Sequence, residues 1–318
     1  MTQSKLSQTE ISHTLSRATA HPDLLQINDS AILFYNLSAV KARVEELKDV
    51  FPAGTLHAVA VKANPLLKML SMAHRLGTGA EVASLPELYL AEKAGFDPGH
   101  IVFDSPCKTR EELEIVLKEG VYLNADSFLE LDRIAEILKN IKSNSIIGLR
   151  INPQVGPGNI KSTSVADGIS KFGIPLNENR DKILQYYQQY PWLQGIHVHI
   201  GSQGCPVPLL ITGIRKVLDL CIEVNELIQQ QSAPNRIRNF DIGGGLPVSY
   251  HPGQEPVTMQ QFAGMLRSNC PELFGNSYRL ITEYGRYINA SAGWVASKVE
   301  YVKREPGYNI IITHVGAD

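Results

Sequence analysis

Short apolar runs rich in Val, Ile and Ala alternate, from residue 56 to residue 283, with longer segments whose apolar residues recur at helical spacing. The runs are 56–61, 80–83, 101–103, 121–124, 146–151, 195–200, 239–242 and 280–283. Each is too short for a typical helix and too continuously apolar for a strand with one wet face, so each predicts a parallel strand buried on both sides. The segments between them predict helices, clearest over 87–94, 110–118, 128–138, 182–189, 209–230 and 259–268. Eight such repeats predict an α/β chain folded as a (β/α)8 barrel. A doubly wound open sheet competes, but it requires a glycine-rich first βα turn, and that turn here reads Lys62-Ala63-Asn64-Pro65. Ahead of the repeats lie a helix-like piece around 11–20, a short strand at 31–35 and an amphipathic helix over 39–50.

A barrel carries its reactive groups at the C-terminal ends of its strands. Lys62 ends the first strand, Glu81 lies in the second, Arg150 ends the fifth, His197 and His199 lie in the sixth, glycines 243–245 follow the seventh, and Glu283 ends the eighth. Lys62 has two readings: a strand cap reaching solvent along its stem, or an amine whose pKa is lowered by partial desolvation, able to form a Schiff base. The triple glycine is either a plain turn or a loop whose missing Cβ atoms let a phosphate reach backbone N–H groups; its position after strand seven favours phosphate. His197 and His199 share a strand face. No third ligand cluster is visible in sequence, which disfavours a metal; a ring-stacking histidine with Ser202 toward a phosphate, or a hydrogen-bonded core histidine, remain. Glu283 is either an ion-pair partner of Arg286 or the carboxylate that keeps a pyridine nitrogen protonated. Lysine, phosphate cradle, stacking histidine and ring-nitrogen carboxylate are the parts that hold pyridoxal phosphate.

Composition narrows the partners. The chain has 318 residues, 43% hydrophobic and 19% charged, enough for a large core. A formal net charge of −2 and a pI near 6.5 give no general attraction to nucleic acid or an acidic membrane. The four cysteines lack CxxC or zinc spacing, the N-terminus lacks signal organisation, and no stretch is apolar for long enough to cross a bilayer. A cytoplasmic protein acting on a small molecule is the expectation.

The segments AVKANP, EVASLPEL, LRINP, SKFGI, GIHVHIGSQ, DIGGGLP and EYGR, in this order and spacing, resemble the fold-type III pyridoxal-phosphate-dependent decarboxylases. Within the diaminopimelate, ornithine and arginine decarboxylase group, diaminopimelate decarboxylase is the nearest branch. The resemblance runs from about Phe34 to the C-terminus. It implies a TIM barrel of the alanine racemase-like type with a second β-rich domain, pyridoxal 5'-phosphate as cofactor, an amino-acid substrate, a homodimer and no metal. It further implies that Lys62 is the Schiff-base lysine, that His199 stacks on the cofactor ring, and that Glu283 meets the pyridine nitrogen. Ser202, Gly244, Gly245, Gly285 and Arg286 fall toward the phosphate, Arg286 also near the substrate carboxylate, with Arg150 and Glu81 at the cofactor.

The implied reaction is decarboxylation of a basic or diamino acid such as diaminopimelate, lysine or ornithine. A non-catalytic or regulatory cofactor-binding relative is an alternative, as is an amino-acid racemase, although racemases of this fold resemble an arginine where this chain has Glu283. Tyr284 replaces a usual proline, Glu81 a common aspartate and Val59 a frequent tyrosine, and the loop 156–169 lacks a typical histidine and Thr-Gly; these departures bear on substrate identity. The domains expected are an N-terminal segment 1–30 associated with the β domain, a barrel over 31–286, and the first strands of an incomplete β domain over 287–318. The family's catalytic cysteine and phosphate-binding tyrosine are expected beyond Asp318.

Overall fold

The computed structural model describes residues 7–26, 28–159, 165–230, 236–250, 255–290 and 292–315. The centre of the loop expected to bear on substrate, 160–164, and parts of the expected terminal segments, 1–6, 27, 291 and 316–318, lie outside the described residues. The strands in chain order are β1 (Ala31–Tyr35), β2 (Leu56–Ala60), β3 (Gly79–Val82), β4 (Ile101–Asp104), β5 (Tyr122–Ala125), β6 (Ile147–Asn152) and β7 (Ile174–Pro175). They continue with β8 (Leu193–Val198), β9 (Asn239–Asp241), β10 (Arg279–Thr282), β11 (Gly293–Ser297), β12 (Val299–Glu305) and β13 (Tyr308–Thr313).

β2, β3, β4, β5, β6, β8, β9 and β10 pair in that order, all parallel, and β10 returns to β2 with Thr282 opposite His57, which closes a (β/α)8 barrel. Every residue of β2 through β6 is buried, as expected of strands covered on both faces. The helix Leu67–Arg75 gave no clear signal in sequence because it starts after Leu66, with no side-chain cap. β7 is a two-residue addition to β6 outside the closed ring.

The chain divides into two compact units, Met1–Val40 with Ala290–Asp318, and Lys41–Asn289. In the smaller, β1 pairs antiparallel with β11, Ala31 opposite Ser297, and Phe34 stacks on Trp294 at 4.2 Å; β12 and β13 form a separate antiparallel pair. The sequence reading began the barrel at residue 31, but β1 lies outside it. Its residues are only exposed or half-buried, a two-sided environment unlike that of the fully buried barrel strands.

Strand alternation decides which barrel residues face inward. Leu56, Ala58, Val102, Tyr122 and Ile281 pack together as one apolar cluster. Two residues on, the same period brings Asp104, Asn124 and Glu283 to that interior. A Cβ on Gly148 would lie 2.4 Å from Asn124 Oδ1, and one on Gly195 would lie 2.2 Å from Tyr122 Oη. Only glycine at those two positions leaves room for these side chains, above which Arg150 and His197 then sit side by side in register.

Candidate active site

After β2 the chain makes a short 3-10 turn, Val61–Ala63, which carries Lys62 off the strand end. The Lys62 Nζ lies 2.6 Å from both carboxylate oxygens of Glu81, a residue of β3 that is almost wholly buried. Burial acts to lower the Lys62 pKa, but the charges of Glu81 and Glu283 outweigh it and hold the ammonium above its ordinary value. Of the two readings the sequence left open, the lowered pKa is not the one the fold gives, because Glu81 stands beside the amine and the charge of Glu283 acts in the same direction. Burial pushes the Glu81 carboxyl up to about 8, with Lys62 opposing and Glu283 adding to the rise.

Glu283 follows β10 and is held in place by its own N–H, which donates to the Gly243 carbonyl at 2.8 Å. Its Oε2 lies 3.4 Å from His197 Nε2, while its Oε1 is buried without a hydrogen bond. Burial raises its pKa, yet the neighbouring His197 more than offsets that and keeps the carboxylate ionised. His197 is completely buried, and its Nδ1 lies 3.5 Å from Asp104 Oδ1. The other Asp104 oxygen accepts from Arg150 Nη1 at 2.6 Å. Arg150 thus sits in the barrel interior, its guanidinium 4.6 Å over the Phe172 ring, and Gly173 N–H donates to Asp126 at 3.0 Å beside it. The SKFGI segment therefore braces Arg150.

His199 stands one residue past β8, and its Nδ1 accepts from Gly244 N–H at 3.1 Å. Burial and the charge of Arg150 push its pKa down to about 3, so the imidazole is neutral. The glycine loop is sterically obligatory: at Gly245, with φ +102°, a Cβ would lie 2.1 Å from the Gly201 carbonyl oxygen, and one at Gly244 would lie 2.4 Å from that of Glu283. Gln203 and Val248 exchange hydrogen bonds at 2.7 and 3.0 Å, tying the loop after β8 to the loop after β9. Arg286 donates to Ser202 Oγ at 3.1 Å and to Tyr250 Oη at 2.6 Å, so it turns to these two hydroxyls rather than pairing with Glu283. A Cβ on Gly285 would lie 2.8 Å from those of Ala60 and Ala63, so glycine lets this segment approach the Lys62 turn.

The sequence reading missed several groups of this interior. Asp104 ends β4 and Asp126 follows β5, so the strand-end rule already applied to Lys62 and Glu283 points to both. Lys108, Glu130 and Asp241 gave weaker signals; Lys108 is fully buried, its Nζ 3.0 Å from Glu130 Oε1. The fold also supplies the third ligand that sequence did not reveal for a metal: nitrogens of His197 and His199 and an oxygen of Glu283 lie within 4.8 Å of one another. Both His197 nitrogens face carboxylates, and His199 Nδ1 accepts a hydrogen bond from Gly244.

The residues fit pyridoxal phosphate on three counts. Glu283 is a buried carboxylate with one oxygen free of hydrogen bonds; glycines 243–245 pack too closely on Val198, His199, Gly201 and Glu283 to admit any Cβ, so no side chain of that loop covers its backbone; and a lysine amine stands at the same end of the barrel.

The family model described as "Pyridoxal-dependent decarboxylase, pyridoxal binding domain" matches residues 37–290. The diaminopimelate decarboxylase of Aquifex aeolicus is 32% identical over 298 residues, covering 92% of this chain and 68% of that protein. The solved structure of diaminopimelate decarboxylase from Helicobacter pylori complexed with L-lysine superimposes with a TM-score of 0.79 at 29% identity, over 92% of this chain and 72% of that one. At 20% identity, the lysine/ornithine decarboxylase of Vibrio vulnificus shares the fold with a TM-score of 0.75, over 96% of this chain and 75% of that one. The chain therefore belongs to the pyridoxal-dependent decarboxylases, and its cofactor is pyridoxal 5'-phosphate.

Proposed function

We propose that the chain decarboxylates a basic or diamino acid, such as diaminopimelate, lysine or ornithine, at the C-terminal mouth of the barrel. The observation that carries this reading is the buried Glu283, one of whose carboxylate oxygens makes no hydrogen bond, beside a histidine whose charge holds its pKa down. Similarity to diaminopimelate decarboxylases, one of them complexed with L-lysine, supports the substrate class.

Bound pyridoxal phosphate supplies a protonated ring that takes up the electron pair left when a carboxylate departs as CO2. Glu283 keeps that ring nitrogen protonated. Lys62 carries the cofactor; its ammonium must first lose a proton, and Glu81 is the acceptor in reach, 2.6 Å away with a carboxyl pushed up to about 8. His199, neutral because burial and Arg150 push its pKa down, would offer the ring a face without a competing positive charge. Ser202, Gly244, Gly245, Gly285 and Arg286 would hold the phosphate, and Arg286 would also meet the substrate carboxylate. Arg150 would act at the ring through Asp104, which it holds at 2.6 Å.

A homodimer belongs to this reading because the resemblance completes the site across a dimer interface. A cytoplasmic role in amino-acid metabolism agrees with four cysteines that form no disulfide. Among the described residues no helix is long and apolar enough to cross a membrane.

The test has two parts. Borohydride reduction of the cofactor-loaded chain, with peptide mapping, should label Lys62, and with the complete gene product one of lysine, ornithine, arginine or diaminopimelate should release CO2. A label confined to another lysine, or no CO2 from any of the four, overturns the proposal.

A further inference from the structure

We propose that His197 is a positioning residue for Glu283: protonated on both ring nitrogens, it spans Asp104 and Glu283 and keeps Glu283 an ionised acceptor for the cofactor's ring nitrogen. The proposal rests on the cofactor reading above.

Geometry carries it. His197 has no exposed surface, and its two nitrogens face carboxylate oxygens on opposite sides, Asp104 Oδ1 at 3.5 Å and Glu283 Oε2 at 3.4 Å. Neither nitrogen makes a hydrogen bond, so the two carboxylates meet the ring as ion-pair contacts. A neutral imidazole would turn a bare lone pair toward one of two carboxylates, in a place where water cannot intervene. A proton on each nitrogen makes both contacts attractive.

The far side of the bridge is fixed. Asp104 is anchored by Arg150 at 2.6 Å, and Arg150 rests on Phe172. A chain of contacts thus runs from Phe172 through Arg150, Asp104 and His197 to Glu283, drawing on β4, β6, β8, the residue after β10 and the loop before β7. Among the remaining groups facing His197, Arg150, its register partner on β6, opposes a cationic ring but has its charge engaged by Asp104. Asp241 is its register partner on β9, and the Asp241 oxygens are engaged by Gly243 N–H at 2.9 Å and by the Asn124 amide at 3.4 Å. His199, its ring centroid 6.5 Å away, is neutral. Although burial disfavours the charged form, the surrounding carboxylates hold the His197 pKa well above its ordinary value. Two residues apart, one near the end of β8 and one just past it, the histidines thus take distinct tasks: His199 for the ring's face, His197 for the carboxylate that meets its nitrogen.

Two measurements on the 318-residue chain decide the matter. The first is NMR of the cofactor-free protein carrying ring-15N histidine, with His197 assigned through its backbone. Both nitrogens should be protonated at pH 8; a single protonated nitrogen overturns the bridge whether or not any variant folds. The second compares binding of pyridoxal phosphate and of its analogue with a C–H in place of the ring nitrogen. His197→Gln should weaken pyridoxal phosphate by about tenfold or more, the size of one pKa unit lost from a buried carboxylate's charged partner, and the analogue by less than about twofold. Equal losses for both ligands mean a merely structural role and overturn the proposal. A wild-type chain that binds neither ligand overturns the cofactor reading and the ring role with it, while the NMR result still decides the protonation of His197.

Discussion

Asp104→Asn tests whether the buried charges under the site depend on one another. Asparagine keeps the shape and removes one negative charge from between Arg150 Nη1, at 2.6 Å, and His197 Nδ1, at 3.5 Å. Breaking a buried pair from one side costs about 3–5 kcal/mol, because the remaining charge is left uncompensated. His197 can escape by shedding its proton and Arg150 still has Asp126 at 4.0 Å, so the lower end, about 3 kcal/mol, is expected. That is a large part of a typical total stability of about 5–15 kcal/mol. Denaturant unfolding should show a lowered midpoint with an unchanged slope.

The pH dependence supplies a second check. Burial favours the neutral form of both groups, yet Arg150 and His197 hold the Asp104 carboxyl far below its ordinary 3.8, while Asp104 and Glu283 hold His197 well above its ordinary 6.5. An acid with a lowered folded pKa contributes stability above its unfolded pKa and loses it as pH falls. A base with a raised folded pKa contributes fully below its unfolded pKa and loses it as pH rises. Wild type and variant should therefore differ most between about pH 4 and 6.5, and less on either side. A gap that is flat with pH, or smaller than the roughly 1 kcal/mol of a surface pair, refutes the reasoning.

Three further outcomes are expected. Glu283→Gln should lower kcat by about 10²–10³-fold, the cost of losing one aimed electrostatic partner, with a much smaller loss of cofactor affinity; unchanged turnover removes Glu283 from the ring nitrogen. Gly245→Ala combines a φ of +102° with a Cβ 2.1 Å from a backbone oxygen, so a stability loss of at least about 2 kcal/mol and weakened phosphate binding should appear together, and wild-type affinity for inorganic phosphate and pyridoxal phosphate contradicts the cradle. Glu81→Gln removes the main charge that raises the Lys62 pKa, so the pH at half-maximal acylation of Lys62 by an amine-reactive probe should fall by about 1–3 units; no shift means that Glu81 does not control the amine.

The barrel was legible in sequence because its strands are buried on both faces, and a buried parallel strand writes a short, continuous apolar run that needs no partner to be recognised. Lys62, Glu81, Arg150, His199 and Glu283 were legible for a related reason: a polar residue at the end of such a run is conspicuous, and barrel topology sends all those ends to one rim. Segment order then carried the resemblance. What the sequence could not determine is how charges add. The Lys62 amine looks, beside its apolar strand, as if burial would deprotonate it, and only closure of β10 onto β2, with β3 on the other side, reveals that Glu81 and Glu283 reverse the sign. His197 looks like a core histidine until β4 and β10 bring carboxylates to both its nitrogens from positions 93 residues before and 86 after it, 197 − 104 and 283 − 197. Local pattern fixes which way a side chain faces, since that depends on period alone. Electrostatics depends on distance through space, and in a closed barrel those distances are set by strands far apart in the chain.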